Sequence, residues 1–187
     1  MSETHRDEIL DQFTRQAAGF AQAPGIVDGA ALRLLVESSG ASADDTVLDV
    51  ACGPGIVACA FAQVARHVTG IDITPAMLDL ARARQRELGL QNITWRAGDV
   101  LPLPFRDGEF SIVVSRFAFH HFLDPGAVLR EMIRVTREGG TVAVADSAPA
   151  LEKADAFNAM ERLRDPSHVR AMPPGELLAL MIDAGLP

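Results

Sequence analysis

The sequence predicts an α/β protein with a doubly wound, mostly parallel sheet. Short runs of apolar and β-branched residues alternate with longer segments of helical periodicity. Strands that are separated by helices lie parallel, because a helical crossover returns the chain to the same end of the sheet. A glycine-rich turn, Gly53-Pro54-Gly55, directly follows the first of these runs. Right-handed crossovers then favour a doubly wound topology with this turn at the carboxyl edge.

Two helices are expected before the sheet, in residues 1–40, as an N-terminal lid or appendage. The first carries four apolar residues spaced three or four apart, which form one stripe: Leu10, Phe13, Ala17 and Phe20. Asp28 is the expected N-cap of the second helix, which ends near Gly40. Residues 41–187 are expected to form one domain that contains the sheet.

Each strand and helix of that domain has its own signal. The predicted strands are residues 46–51, 68–72, 92–97, 110–115 and 141–145. The helix after the first strand is predicted from apolar residues at i, i+3, i+4 and i+7: Val57, Ala60, Phe61 and Val64. The next helix is expected to begin with Thr74 as cap and Pro75 at its first position, and to stop at Gly89. A later helix opens at Asp124-Pro125 and is expected to close at Gly139-Gly140.

The charge and the cysteine content limit the classes of partner and cofactor that are expected. The formal net charge is −8, and the 17 Lys and Arg residues are scattered. No basic stripe is available for phosphates, so nucleic acid is not expected as a partner. Cys52 and Cys59 form no C-x-x-C pair, which argues against zinc and against a disulfide framework, and fits a reducing cytoplasm. No apolar run approaches the roughly 18 residues of a membrane span, and no metal is expected.

The glycine turn is compatible with two cofactor classes. Gly53, Gly55 and Ala58 fit the G-x-G-x-x-A pattern, in which glycines let a pyrophosphate approach a helix N-terminus. Asp72 follows Gly55 by 72 − 55 = 17 residues, near the approximate 20 expected for a ribose-binding acid. Dinucleotides and adenosyl cofactors both carry a ribose, so this spacing leaves both classes open.

Asp49 distinguishes the two classes. It lies four residues before Gly53, at the carboxyl end of the first strand. A carboxylate there would repel a pyrophosphate but would suit the ammonium group of a methionyl tail. The alternative is that Asp49 satisfies a helix or loop and that the glycines form a tight turn without a ligand.

Five ordered segments resemble one family. They are "VLDVACGPG", "GIDITPAML", "AGDVLPLPFRDGEF", "SIVVSRFAFHHFLDP" and "VLREMIRVTREGGTVAVAD", within residues 47–146. Together they resemble the class I S-adenosylmethionine-dependent methyltransferases with their Rossmann-like fold, especially the small-molecule branch of ubiquinone/menaquinone-biosynthesis C-methyltransferases.

The resemblance implies that S-adenosylmethionine lies across the carboxyl edge of the sheet and leaves as S-adenosylhomocysteine. Its methionyl end would meet the first strand and the glycine turn: Asp49, Ala51, Gly53 and Gly55. Its ribose and adenine would meet residues after the second and third strands: Asp72, Ile73, Met77, Asp99 and Val100. Ser115 and Arg116 would lie beside the sulfonium, at the end of the fourth strand.

The sequence departs from the family at three places. Many relatives have Gly where Ala51 stands, and Asp where Ser111 stands. Such proteins usually end with two further strands, and both are expected to be lacking here. We therefore expect a truncated chain, or a fifth strand covered by a partner subunit in a homodimer.

Methyl transfer is an in-line displacement that needs proximity, and a general base only where the acceptor must lose a proton. His120 and His121 are the candidates for this catalytic role, because they follow the fourth strand to the rim of the crevice. Weaker substrate or lid candidates are Phe13, Gln16, Phe20, Phe119 and His168. For these residues the alternatives are core packing, a surface loop, or packing of the first helix beneath the sheet.

The sequence therefore favours a methyltransferase for a small-molecule acceptor. The alternatives are a nicotinamide-dependent oxidoreductase and a non-catalytic scaffold that binds the cofactor. The fold does not fix the acceptor.

Overall fold

The protein forms an all-parallel, five-stranded sheet. The computed structural model describes residues 3–20 and 28–186 of the 187-residue chain. The strands are β1 (Thr46–Val50), β2 (His67–Asp72), β3 (Ile93–Ala97), β4 (Phe110–Arg116) and β5 (Thr136–Ala145). Their order is β3-β2-β1-β4-β5, and every adjacent pair is parallel. The order reverses between β1 and β4, and such a switch point opens a crevice at the carboxyl ends of the strands.

Helices cover both faces of the sheet. The helices are α1 (Glu3–Phe20), α2 (Gly29–Ser38), α3 (Ile56–Phe61), α4 (Pro75–Glu87), α5 (Pro125–Val135), α6 (Ala154–Arg164) and α7 (Pro174–Asp183). On one face, α2 and α3 pack against Val47, Val68 and Val114. On the other face, α5 and α7 pack against Leu48 and Val113. Neighbouring strand residues point to opposite faces, so both cores follow from central strands that carry apolar residues on both faces. The doubly wound prediction is confirmed.

Two of the three predicted helix caps form as expected. The carboxylate of Asp28 accepts the N–H groups of Ala30 and Ala31, and that of Asp124 accepts the N–H of Ala127. The prediction for Thr74 is correct in position but wrong in mechanism. Its side chain makes no capping bond, and its backbone N–H instead donates to Asp72.

Two helices are shorter than predicted. Helix α3 ends at Phe61, so Val64 lies beyond the helix and is exposed. Helix α5 ends at Val135, and β5 begins at the next residue rather than at 141. Gly139 and Gly140 therefore lie inside the strand, where a register shift falls between Phe110 and Ile112 of the neighbouring strand. A Cβ at Gly140 would lie 2.6 Å from a backbone oxygen of β4, so Gly140 serves this close approach, whereas Gly139 supplies a positive φ of 70° and has open space beside it.

The buried face of α1 differs from the predicted stripe. His5, Ile9, Gln12 and Ala17 are buried, whereas Leu10 is only half-buried. The helix packs against α4, and the Gln12 side chain donates to the backbone of α6. Tertiary contacts have thus selected a face that includes two polar residues, which an apolar pattern cannot reveal.

Strand β5 pairs with β4 alone among the described residues, and it is half-exposed along most of its length. In the same part of the chain, no helix has the length and apolar character needed to cross a membrane.

Candidate functional site

A cleft opens at the switch point, between the carboxyl ends of the strands and α1. It encloses about 820 Å³, including the open space at its mouth. Nineteen residues line it: Ile9, Phe13, Ala51, Cys52, Gly53, Pro54, Ile56, Val57, Asp72, Ile73, Thr74, Met77, Asp99, Val100, Arg116, Phe117, Ala118, His121 and Phe122. The walls are mainly apolar, and the ionisable groups are few.

Most of the predicted site residues meet in this cleft. Those that line it are Phe13, Ala51, Gly53, Asp72, Ile73, Met77, Asp99, Val100, Arg116 and His121. Seven others lie elsewhere: Asp49, Gly55, Ser115, Gln16, Phe119, His120 and His168. The side chain of Phe20 lies outside the described part of the chain.

The glycine turn after β1 brings backbone close to the cleft. Ala51, Gly53 and Gly55 all have positive φ, of 56°, 50° and 75°. A Cβ at Gly53 would meet no atom within 4 Å, so this glycine is required by its backbone conformation and leaves open space beside it. Ala51 adopts the left-handed conformation with a side chain, at a cost of roughly 1–2 kcal/mol. A glycine at this position would adopt the same φ without that strain.

Gly55 has a structural role under the turn rather than a cleft-lining one. A Cβ on Gly55 would lie 2.6 Å from the Trp95 ring, and one on Gly70 would lie 2.5 Å from it. Trp95 is the neighbour of Gly70 across β2 and β3, and its indole N–H donates to Gln85 at 2.7 Å. The two glycines therefore make room for the indole that supports the turn.

Asp49 lies behind the cleft wall, which corrects the prediction that it lines the site. Its side chain is almost fully buried, and its Oδ2 accepts the N–H of Ala58 at 2.9 Å. Ala58 is the third residue of α3, whose N-cap, Gly55, has no side chain to offer. Asp49 thus caps this helix from the strand. Burial raises the pKa of Asp49 to about 8, and the nearby Asp72 contributes to this rise.

Asp72 connects the end of β2 to the glycine turn. Its Oδ2 accepts the N–H of Gly53 at 2.7 Å, and its Oδ1 accepts that of Thr74 at 2.8 Å. Burial raises the pKa of this carboxyl group, while these bonds oppose the rise. Each carboxylate oxygen has a second lone pair. Asp72 can therefore hold the turn and still accept hydroxyl groups of a ligand.

One part of the cleft is an apolar slot, and a second acidic residue, Asp99, lines the cleft beside it. Ile73 and Met77 line the slot on the side of α4, and Val100 lines it after β3. Asp99 also lines the cleft, and its Oδ1 accepts the N–H of Leu101 at 3.2 Å. A flat base carrying an amino group fits such a slot, because its ring is apolar and its amino group is a donor. The two carboxylate acceptors and the open glycine turn together fit an adenosyl cofactor.

The opposite end of the cleft is formed by residues that follow β4. Phe117 has a φ of 55°, and the Arg116 guanidinium lies 4.3 Å from the centre of its ring, within the range of a cation–π contact. Ser115 is fully buried, and its hydroxyl donates to the Val50 carbonyl at 2.9 Å, so its side chain holds β4 to β1; a place beside the sulfonium stays a prediction. Phe119 is also in the core, whereas Phe117 borders the cleft.

Of the two candidate histidines, His121 reaches the cleft and His120 does not. The His120 Nδ1 lies 2.5 Å from Asp146 Oδ1, and its backbone N–H donates to the same carboxylate. His120 therefore pairs with the end of β5 behind the cleft. His168 is neither a surface residue nor a cleft residue: it is buried, and its Nε2 lies 2.7 Å from Asn158 Oδ1.

His121 combines burial with access to the cleft. Its Nδ1 lies 3.0 Å from the Ser167 carbonyl oxygen, and the edge of Phe13 meets its ring at 5.0 Å between centroids. Burial, together with the neighbouring His120, lowers the pKa of His121 to about 4. His5 of α1 holds the backbone of this segment, with its Nε2 at 2.8 Å from the His121 carbonyl oxygen.

Sequence reasoning missed several residues of this site. Ile9 lies four residues before Phe13, so helical spacing could have found it. Ser167 and the left-handed Phe117 have no local signal. Within residues 3–20 and 28–186, no three His, Cys, Asp or Glu side chains are grouped to hold a metal ion.

Comparisons with known proteins agree with this geometry. The family described as "Methyltransferase domain" matches residues 48–144. The uncharacterized methyltransferase YcgJ of Bacillus subtilis is 34% identical over 160 residues, which are 84% of this chain and 63% of that protein. The ubiquinone/menaquinone biosynthesis C-methyltransferase UbiE of Bdellovibrio bacteriovorus is 36% identical over 142 residues, which are 73% of this chain and 60% of UbiE.

A solved structure extends the match to the fold. The crystal structure of a putative methyltransferase from Bacillus halodurans superposes with a TM-score of 0.77 at 38% identity, covering 84% of this chain and 69% of that one. The chain spans less than two thirds of the length of the two curated relatives. S-adenosylmethionine is the cofactor of this family. By its matching segment, its sheet and its cleft, the chain belongs to the methyltransferase domain family.

Proposed function

We propose that this protein transfers a methyl group from S-adenosylmethionine to a small-molecule acceptor held in the cleft. The observation that carries the proposal is the arrangement at the switch point. Asp72 and Asp99 lie at the ends of two neighbouring strands, and an open glycine turn borders the same apolar space. When bound, the cofactor supplies an activated methyl group together with its leaving group.

The residues of this chain then have three tasks. Asp72 accepts the ribose hydroxyls, and Asp99 accepts the adenine amine beside Ile73 and Met77. Phe13 and Ile9 of α1 cover the cleft, which keeps water from the reacting atoms. Positioning two reactants in a dry site can lower a barrier by about 7–11 kcal/mol in favourable cases.

Asp49, Gly55 and Ser115 support these contacts from outside the lining of the cleft. Asp49 caps α3, Gly55 admits the indole beneath the turn, and Ser115 joins β4 to β1. Gly53 presents its backbone to the methionyl part, and its N–H is held by Asp72. The names of YcgJ and UbiE support methyl transfer as the reaction class.

Calorimetric titration of the purified protein tests the proposal. We expect binding of S-adenosylmethionine and S-adenosylhomocysteine, and no binding of NADH. Asp72→Ala should weaken binding at least about tenfold, because hydrogen bonds to charged groups contribute about 1.5–3 kcal/mol. The control is Asp44→Ala, which removes an exposed acid before β1 and should bind as the parent does. A folded protein that gives no heat with either adenosyl ligand would refute the proposal.

Turnover distinguishes an enzyme from a scaffold. Formation of S-adenosylhomocysteine across a panel of hydroxylated, amine and activated-carbon acceptors would identify the acceptor class. Cofactor binding without turnover on the whole panel would favour the non-catalytic scaffold.

The remaining proposals concern the chain as a whole. We propose that residues 1–40 act as a lid, because Ile9 and Phe13 border the cleft. A homodimer that covers β5 and a cytoplasmic location remain predictions from the sequence. Sedimentation equilibrium and cell fractionation test them.

A further inference from the structure

The segment between α6 and α7 does not line the cleft itself, but it contacts His121, which does. Asp165, Ser167 and His168 are buried, although they lie in a loop. Two backbone N–H groups of the same segment, those of Val169 and Arg170, donate to the His120 carbonyl oxygen at 2.8 and 3.0 Å. The loop is therefore tied to the turn that carries His121, about 46 residues earlier in the chain.

A chain of hydrogen bonds leads from Asp165 to the His121 ring. The Oδ1 of Asp165 accepts both the Ser167 hydroxyl, at 2.6 Å, and the Ser167 N–H, at 2.9 Å. The Nδ1 of His121 lies 3.0 Å from the Ser167 carbonyl oxygen and 3.2 Å from its hydroxyl oxygen. Because the carbonyl only accepts and the hydroxyl already donates to Asp165, the proton must reside on the Nδ1 of His121.

The opposite ring nitrogen then carries a lone pair. The lowered pKa of His121 keeps the ring neutral at pH 7, so only one of its nitrogens is protonated. No described residue forms a hydrogen bond with its Nε2, and His121 lines the cleft beside Phe13 and Phe122. A neutral imidazole with its lone pair in an apolar cleft is a hydrogen-bond acceptor for a ligand.

We propose that Asp165 and Ser167 are positioning residues that hold His121 as its Nδ1–H tautomer, so that Nε2 receives the proton of a hydroxyl group on the methyl acceptor. This inference rests on the proposed function. In the step, the acceptor oxygen bonds to the methyl carbon while the bond from that carbon to sulfur breaks. The sulfonium becomes a neutral thioether, the hydroxyl proton moves to Nε2, and the positive charge passes to the imidazolium. Water takes this proton after the product leaves.

The surroundings of His121 make it a weak base. The His120 ring lies 4.2 Å away and the His168 ring 6.3 Å away, both measured between centroids, and His5 binds the His121 carbonyl. His120 disfavours a second positive charge, whereas Asp165 and Asp146 favour it. A weak base suits a proton that moves late, because a hydroxyl becomes more acidic as its oxygen bonds to the methyl carbon.

Nitrogen-15 spectra of histidine-labelled protein test the tautomer without any ligand. The chain has five histidines, and His121→Gln assigns the signals of interest. We expect a protonated Nδ1 and an unprotonated Nε2 at pH 7. Asp165→Ala should convert this pattern to averaged signals of both tautomers. Asp165→Asn should restore the parent pattern, because an amide oxygen can accept the same two Ser167 hydrogen bonds. Asp183→Asn, an exposed change on α7, is the matched control.

Two results overturn the inference: a protonated Nε2 in the parent protein, or a tautomer that Asp165→Ala leaves unchanged. Should that variant fail to fold, acylation of the parent by diethyl pyrocarbonate decides, because the reagent attacks unprotonated imidazole nitrogens. Modification of His121 at Nε2 supports the inference, and its absence overturns it. Calorimetry distinguishes a failure of the proposed function from a failure of this inference. A protein that binds no S-adenosylmethionine refutes the proposed function, whereas a wrong tautomer in a protein that binds it refutes only the role of Asp165 and Ser167.

Discussion

Replacement of Asp49 by Asn should stabilise the protein, and the gain should grow with pH. The carboxyl group is buried and accepts the N–H of Ala58. The amide oxygen of an Asn side chain can accept the same bond, so the cap on α3 is retained. The substitution removes the ability to ionise and replaces the second carboxyl oxygen by an amide NH2 group.

The magnitude follows from the two pKa values. Asp49 has a pKa of about 8 when folded and an ordinary value of 3.8 when unfolded. Between these values the folded state binds more protons, so stability is full below the unfolded pKa and falls as pH rises towards the folded one. At pH 7 the difference is 7 − 3.8 = 3.2 units, which at about 1.4 kcal/mol per unit gives at most about 4 kcal/mol. The Asp49→Asn change recovers this loss at pH 7 and little of it near pH 4.

Urea unfolding of both proteins at about pH 4 and pH 7, followed by circular dichroism, measures the effect. Asp44→Asn, which changes an exposed acid, should leave the difference near zero at both pH values. The reasoning fails if the Asp49→Asn variant is less stable than the parent at pH 7, or if its advantage does not grow with pH. Calorimetric titration of the Asp49→Asn variant with S-adenosylmethionine tests whether Asp49 contacts the ligand. Unchanged affinity for S-adenosylmethionine fits a capping role alone, and a loss supports the ammonium contact predicted from the sequence.

Two further substitutions test the glycine turn and its support. Ala51→Gly should stabilise the protein by up to about 1 kcal/mol, because relief of the left-handed strain outweighs the added freedom of the unfolded chain; urea unfolding measures this. Gly70→Ala should destabilise it by about 1–3 kcal/mol, because the new Cβ would lie 2.5 Å from Trp95. Thermal unfolding measures the loss, and Trp95→Leu in the same chain should recover part of it.

For each of these two substitutions, one outcome would contradict the prediction. Ala60→Gly, inside α3, is the control for the first and should lose about 0.5–1 kcal/mol. A loss of the same size for Ala51→Gly would contradict the strain. For the second, equal unfolding temperatures for Gly70→Ala and the parent would contradict the contact with the indole.

The order of strands and helices was predictable because it depends on residues close together in the chain. Alternating apolar runs and helical segments predicted the five strands, and the carboxylates of Asp28 and Asp124 cap helices that start at the next residue. The limit of this reasoning shows at Gly139 and Gly140. A pair of glycines after a helical segment is typical of a helix end, yet here both lie in β5 and Gly140 allows close contact with β4. Sequence spacing does not report that contact.

The amino-acid sequence by itself determined the doubly wound sheet, and it predicted a site at the carboxyl edge with Asp72 and, through the family resemblance, Asp99. Only the tertiary structure decided which side chains face the cleft. It turned Asp49 towards α3, gave His121 rather than His120 access to the cleft, and placed Ser167 beside that ring. The physical reason is the separation of the partners. Helix caps and apolar periodicity act within a few residues, whereas the bonds that orient His121 join residues 46 and 116 positions apart, which come together only when the chain is folded.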